Sequence, residues 1–205
     1  MTIGKDEKVI KVIVNRAGFE YDIHALVKSF YPGWDVQIKE EDEPVLEPGT
    51  ADILIWIRED EVQIALAEPE REEQPFAMGS RELFRDDTGK VTRLEIKNRI
   101  KQLLYQMLSE HTGKRLPWGT LTGIRPVKIP MSMLEEGKGE KEIRDYMRST
   151  YFISRQKEQL AIEIARREKE LLEKLHYENG CSLYIGIPFC PTTCLYCSFT
   201  SYPIV

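Results

Sequence analysis

The stretch Tyr184–Phe199, YIGIPFCPTTCLYCSF, contains Cys190, Cys194 and Cys197 in the spacing C-x3-C-x2-C. The residues before the first cysteine are rich in Leu, Tyr and Ile, so Ser182–Pro188 is predicted to be a β-strand that leads into a loop. Three cysteines within eight residues are typical of a metal site, whereas a disulfide framework is not expected here. The sequence therefore predicts a strand followed by a metal-binding loop.

The three thiolates suit an iron–sulfur cluster better than a structural zinc ion. Structural zinc usually has four protein ligands, and the three histidines of the chain do not lie at zinc-finger spacing. Cys181 precedes the predicted strand, which would carry it roughly 20–26 Å from the loop. Cysteine thiolates are the standard ligands of iron–sulfur clusters. We therefore expect Cys190, Cys194 and Cys197 to hold three irons of a 4Fe–4S cluster and to leave the fourth iron open.

Composition limits the class of protein. The chain has 205 residues, of which 41% are hydrophobic and 31% are charged, as expected of a globular protein. It has no run of eighteen apolar residues that would predict a membrane-spanning helix. Its first residues, MTIGKDEKVIKVIV, lack the apolar core and cleavage site of a signal peptide. These observations predict a cytoplasmic protein without a membrane partner.

Charge is unevenly distributed along the chain. The formal net charge is −5, but residues 35–87 carry a net charge of −12 and residues 90–128 a net charge of +7. This difference indicates either two surfaces with different partners or two parts of the chain that face each other. A solvated acidic face beside a basic helix would give the same pattern.

The N-terminal region is predicted to be a small α+β unit of order β-α-β-β-β. An amphipathic helix is predicted at Tyr21–Phe30, and a hairpin turn at Arg58–Glu61. Residues 69–89 are charged and contain turn residues, which predicts an acidic linker or long loop. The four predicted strands are Lys8–Val14, Trp34–Ile38, Ile53–Ile57 and Val62–Ala67.

A helical region follows. Thr92 and Glu95 match a capping box, and the helix that they open is predicted to stop at Gly113. A segment rich in Gly and Pro, Leu116–Pro130, separates it from three more predicted helices. These are Pro130–Glu136, Glu140–Arg148 and Ser154–Leu175, and the last has Leu160, Ile164, Leu171 and Leu175 on one face, the pattern of an amphipathic helix.

Two binding hypotheses come from this region. The last two helices resemble a helix-turn-helix, which would make the N-terminal part a nucleic-acid or protein binding module. Because Ser154–Leu175 has a net charge of only +1, nucleic acid is the less favoured partner. Residues Thr122–Pro126 could bind an anion at a helix start, with Arg125 engaging a propionate or a phosphate. Arg125 could instead pair with an acidic residue of the N-terminal unit.

The motif Tyr184–Phe199 resembles the radical S-adenosylmethionine family and, within it, the oxygen-independent coproporphyrinogen III oxidase group. The segment Trp118–Lys128, WGTLTGIRPVK, resembles the branch called coproporphyrinogen dehydrogenase, whose members carry a long N-terminal extension. The resemblance implies a partial α/β barrel with Ser182–Pro188 as its first strand. Since the active sites of such barrels are built from several strands, we expect this chain to be an N-terminal portion that is inactive alone.

The expected fold is therefore α+β, in three parts. Residues 1–89 form the N-terminal α+β domain with its acidic linker. Residues 90–178 form the helical region with the Trp118–Lys128 motif. Residues 179–205 form the first strand and cluster loop of a truncated radical S-adenosylmethionine barrel.

The resemblance also implies a chemistry. In that family a reduced 4Fe–4S cluster binds S-adenosylmethionine and cleaves it to a 5′-deoxyadenosyl radical. The radical removes hydrogen from a propionate of coproporphyrinogen III, which then loses carbon dioxide and becomes a vinyl group. Tyr184 matches the tyrosine near the S-adenosylmethionine carboxylate, and Tyr196 matches the residue against the adenine. An electron-donor protein is an implied partner, and no catalytic residue can be assigned.

Two residues depart from the pattern of the better-known oxidases. Gly186 stands where those enzymes have histidine, and Phe199 stands where they have a fourth cysteine. A phenylalanine at position 199 resembles the pattern of the haem-chaperone members of the same group. These proteins share the cluster and handle haem. A haem chaperone is therefore the alternative function.

Overall fold

The computed structural model describes residues 8–47, 49–67, 76–123, 125–175, 179–181, 183–192, 194–199 and 202–203. Contacts between residues divide the chain into two units, Met1–Arg167 and Glu168–Val205. Among the helices of these ranges, none is both long enough and apolar enough to cross a bilayer.

The first unit contains a five-stranded mixed sheet in the order β2-β1-β3-β4-β5. The strand β1 pairs in parallel with β2 and β3, and the helix α1 (Glu20–Phe30) connects β1 to β2. The remaining neighbours, β3 with β4 and β4 with β5, are antiparallel. The strands are β1 (Val9–Val14), β2 (Asp35–Glu40), β3 (Ile53–Ile57), β4 (Glu61–Ala67) and β5 (Phe76–Glu82).

The structure confirms the predicted β-α-β-β-β order and the hairpin between β3 and β4, and it adds one strand. Residues 69–89 were predicted to be a linker or loop, and this is wrong for Phe76–Glu82, which pairs with β4 along its whole length. The reason lies in the tertiary packing of β5. A Cβ atom built on Gly79 would lie 3.0 Å from Leu103 Cδ1 and from Met107 Sδ, so the glycine allows a helix to pack directly on β5.

That helix is α2 (Arg93–Thr112), which packs with α1 on one face of the sheet. Half of the predicted capping box is present, since the Thr92 hydroxyl accepts a hydrogen bond from the backbone N–H of Glu95. The Glu95 carboxylate does not complete the box. It accepts instead from the backbone N–H of Phe84, and so it connects the segment after β5 to the start of α2. Gly113 ends the helix in the left-handed conformation, as predicted.

The helices α3 (Lys128–Glu135), α4 (Glu140–Tyr151) and α5 (Arg155–Leu172) follow. They share a second apolar cluster built on α4 and α5, against which Trp118 and Leu121 pack. Only three residues separate α4 from α5, as in a helix-turn-helix, and the nucleic-acid hypothesis stays a prediction.

The apolar face predicted for α5 is wrong. Leu160 and Ile164 are exposed, whereas Ala161, Ile162 and Glu158 are buried. The physical reason is the pairing of Glu158 with α4. Its carboxylate, which has no exposed surface, accepts hydrogen bonds from the guanidinium groups of Arg144 and Arg148. This ion triad orients α5 so that Glu158 faces α4, while Leu160 and Ile164 face the solvent.

The domain boundaries at 89/90 and 178/179 stay predictions. The contacts in the structure group the chain differently, because α2 belongs to the same apolar cluster as the sheet. The division that the contacts give lies between Arg167 and Glu168, within α5.

Candidate functional site

The predicted metal-binding loop lies in the second unit, between two short strands. They are β6 (Phe189–Cys190) and β7 (Tyr202–Pro203), which pair in parallel. The backbone N–H of Tyr202 donates to the carbonyl of Pro188 at 2.7 Å, and the rings of Phe189 and Tyr202 lie 6.1 Å apart. These contacts close the loop at its base, so that all three cysteines belong to one closed turn of chain.

The strand predicted at Ser182–Pro188 is wrong over 183–188, where the backbone is not in a strand, and Ser182 lies outside the described residues. A parallel strand needs hydrogen-bond partners. In the described part of the second unit, pairing begins at Phe189. Leu183 and Ile187 are exposed, as expected of a barrel strand without neighbours.

The three loop cysteines are free thiols. Cys190 and Cys197 are partly buried and Cys194 is exposed, and the backbone N–H of Cys197 donates to the carbonyl of Cys194 at 3.0 Å. As donors they fit an iron–sulfur cluster, because the cysteines are reduced and lie on one loop. Within the described ranges, no three His, Cys, Asp or Glu side chains are close enough together to hold a metal ion. The structure thus places the three cysteines on one turn without bringing their side chains together as a metal site, and their role as cluster ligands stays a prediction.

The two predicted cofactor-binding tyrosines are at the surface. Tyr184 is 84% exposed and Tyr196 is 89% exposed. Cys181 is exposed as well. The packing of both tyrosines against a cofactor therefore stays a prediction.

The Trp118–Lys128 motif lies between α2 and α3, and its Gly119 is needed for packing. Gly119 has a φ of +57°, and a Cβ atom at this position would lie 1.9 Å from the carbonyl oxygen of Tyr151. Thr120, which is buried, donates its backbone N–H to the same oxygen at 2.8 Å. A Cβ atom on Gly123 would lie 2.9 Å from the hydroxyl oxygen of Tyr21. The motif therefore fixes the segment against both α1 and the end of α4.

Lys101 contacts the middle of the same motif, at Thr122. This buried lysine of α2 donates from Nζ to the hydroxyl of Thr122 at 2.9 Å, and its Nζ lies 3.8 Å from Oδ1 of Asp22. Burial lowers the pKa of Lys101, the positive charge of Lys97 lowers it further, and Asp22 partly opposes both effects. Sequence reasoning missed this residue, although Lys101 lies on the buried face of α2, three residues before Leu104.

This arrangement predicts a pH dependence of stability. The folded protein releases the proton of Lys101 at a lower pH than the unfolded chain, whose lysine pKa is about 10.4. Between the two pKa values the unfolded chain binds more protons, so folding becomes more favourable as pH rises through that window. We expect the free energy of unfolding of the wild type to rise relative to that of Lys101→Met as the pH increases from the lowered pKa of the folded protein towards the ordinary lysine value of about 10.4.

Urea titrations at several pH values measure this difference. The exposed Lys141 of α4 provides the control, because Lys141→Met removes a lysine without changing a buried one. A constant difference between wild type and Lys101→Met across the pH range would contradict the assignment.

The anion site predicted around Thr122–Pro126 stays a prediction. The structure places it beside the buried Lys101, at the start of α3.

These features describe an α+β protein with a three-cysteine loop near the end of the chain. Among curated proteins, the chain is similar to the oxygen-independent coproporphyrinogen-III oxidase-like protein HemZ of Bacillus subtilis (strain 168), with 38% identity over 120 residues. The match spans 58% of this chain and 24% of that relative. No protein-family model matches the chain, and no solved structure matches it at a significant level. The similarity confirms the resemblance to the HemZ-type group that the motifs indicated.

Proposed function

We propose that the chain is part of a cytoplasmic radical S-adenosylmethionine protein of haem biosynthesis that oxidises the propionates of coproporphyrinogen III to vinyl groups. The observation that carries the proposal is the closed loop with Cys190, Cys194 and Cys197. It is supported by the similarity to HemZ, which is named as coproporphyrinogen-III oxidase-like.

The residues of this chain have defined tasks in the proposal. Cys190, Cys194 and Cys197 bind a 4Fe–4S cluster as thiolates, and their partial exposure leaves them accessible for cluster assembly. When bound, the cluster supplies the electron that cleaves S-adenosylmethionine. Tyr184 and Tyr196 orient that cofactor through its carboxylate and its adenine. An electron-donor protein reduces the site.

Anaerobic reconstitution of the complete gene product tests the ligand assignment. We expect about four irons and four sulfides per chain, the content of one 4Fe–4S cluster. Each of Cys190→Ala, Cys194→Ala and Cys197→Ala should lose the cluster, as measured by iron content and by the electron paramagnetic resonance of the reduced protein. Cys181→Ala is the matched control and should retain it. Stoichiometric zinc without iron, or equal loss in all four variants, would overturn the assignment.

A second experiment separates oxidase from haem chaperone, because Gly186 and Phe199 depart from the oxidase pattern. The complete gene product, reduced and supplied with S-adenosylmethionine, should convert coproporphyrinogen III to protoporphyrinogen IX and release 5′-deoxyadenosine. Stoichiometric haem binding without decarboxylation would instead establish the chaperone function.

A further inference from the structure

The strand β2 is one of the two edge strands of the five-stranded sheet. The backbone N–H of Asp35 donates to the carbonyl of Lys8 at 2.8 Å, so Asp35 and every second residue after it direct their backbone groups to the β1 side. Because these directions alternate along a strand, Val36 and Ile38 direct theirs away from the sheet. Within the described part of the chain, the outward groups of these two residues have no hydrogen-bond partner. They can therefore pair with a further strand.

The side chains of β2 differ between its two faces. Val36 is buried and Ile38 is partly buried, and both belong to the apolar cluster that contains α1. Asp35, Gln37 and Lys39 lie on the opposite face and are exposed. The exposed face thus has an acid and a base at equal distances on either side of Gln37.

This arrangement makes the edge complementary to itself. When two copies of β2 lie antiparallel about a two-fold axis at Gln37, Asp35 of each copy is opposite Lys39 of the other. Opposite charges in this position stabilise a strand pair. Val36 is then opposite Ile38, so the outward backbone groups of these residues can exchange N–H···O bonds, and their side chains continue the apolar layer. One register therefore satisfies the charges, the backbone and the apolar face together.

The other registers and the other edge do not have this property. An axis at Ile38 would place Asp35 opposite Glu41, which has the same charge. On β5 the charged residues, Arg81 and Glu82, are adjacent at the end of the strand. The guanidinium of Arg81 also donates to two glutamine side chains of α2. Charge complementarity thus selects β2 and one register.

We propose that β2 pairs with β2 of a second copy of this chain, antiparallel and about a two-fold axis at Gln37. The two sheets then form one continuous sheet. Lys39 is available for this contact, since its pair with Glu41, at 2.6 Å, leaves 75% of the lysine side chain exposed, and exposed ion pairs are weak. A single strand pair is a small interface, so the expected dissociation constant is on the order of 10–100 µM. The proposal is independent of the function proposed above, because β2 lies in the first unit.

Sedimentation velocity of the complete gene product at increasing concentration tests the proposal. We expect a concentration-dependent shift from monomer to dimer, and a weaker dimer at high salt, because the ion pairs at the edge are exposed. A monomer at every concentration up to about 1 mM would overturn the proposal.

Charge-reversal variants locate the interface. Asp35→Lys and Lys39→Asp each place like charges opposite one another at both ends of the strand pair, and each should weaken the dimer about tenfold or more. An equimolar mixture of the two variants restores the opposite charges and should form a heterodimer with nearly the affinity of the wild type. Lys141→Asp, at an exposed lysine of α4, is the control and should dimerise as the wild type does.

The mixture is the decisive measurement, because only antiparallel pairing about Gln37 brings residues 35 and 39 of different copies together. Melting temperatures of both single variants close to that of the wild type would show that the monomer fold is intact, since both side chains are exposed. Equal dimerisation in all variants, or no recovery in the mixture, would overturn the proposal.

Discussion

Gly119→Ala is expected to destabilise the unit Met1–Arg167 strongly. The new Cβ atom would lie 1.9 Å from the carbonyl oxygen of Tyr151 and 2.7 Å from backbone atoms of Phe152. Because all of these neighbours are backbone, no side-chain rotation can relieve the overlap, and the turn between α4 and α5 must move. With the left-handed conformation added, we expect a loss of about 3–5 kcal/mol.

Such a loss is large compared with the total stability of a typical domain, about 5–15 kcal/mol. Urea unfolding followed by circular dichroism measures it. Gly137→Ala is the matched control, since Gly137 has a φ of +77° and a Cβ atom there would meet nothing within 4 Å. It carries the conformational cost alone, about 1–2 kcal/mol. If the two variants lose equal stability, the close approach of Gly119 to α4 is not the cause.

The second large effect concerns Glu158. Removal of both partners, in Arg144→Met/Arg148→Met, leaves its carboxylate buried and uncompensated. We expect the melting temperature to fall by about 10 °C, because an unpaired buried charge is strongly destabilising. Differential scanning calorimetry of the whole chain measures the change.

Two further variants test the mechanism of this loss. Adding Glu158→Met to the double variant removes the isolated charge and should recover most of the melting temperature, since an apolar set can replace a buried ion group. Arg166→Met/Arg167→Met removes two arginines of α5 whose ion pairs are exposed, and should change the melting temperature by only a few degrees. A triple variant as unstable as the double variant would contradict the buried-charge explanation.

The strands β1 to β4 could be predicted from sequence because local pattern determines them. In Ile53–Ile57 all five residues are apolar and all are buried. The strand β5 could not, since FAMGSRE has few β-branched or aromatic residues, and only the pairing with β4 and the helix against Gly79 make it a strand. Pattern rules also treat every charged residue as exposed, so the burial of Glu158 and the resulting orientation of α5 were not predictable.

The candidate site also has features that the sequence predicts and features that it does not. The three cysteines could be singled out from their spacing, because candidate ligands on one loop are adjacent in sequence. The relative positions of their sulfurs could not be predicted, since the ligand geometry of a metal site generally forms together with metal binding. The contacts of Lys101 with Asp22 and Thr122 join residues that are far apart in the sequence, and they form only through tertiary packing.

The position of β1 in the sheet has a consequence for synthesis on the ribosome. β1 is translated before the other strands of its sheet, yet it pairs on one edge with β2 and on the other with β3, which begins 44 residues after β1 begins. At about 5–20 residues per second, β1 waits roughly 2–9 s for its second neighbour. During that interval an apolar strand has an open edge, which can pair with another chain. The nascent protein is therefore vulnerable to misassembly until β3 has left the ribosome, and slow translation of the residues between β1 and β3 would prolong that interval.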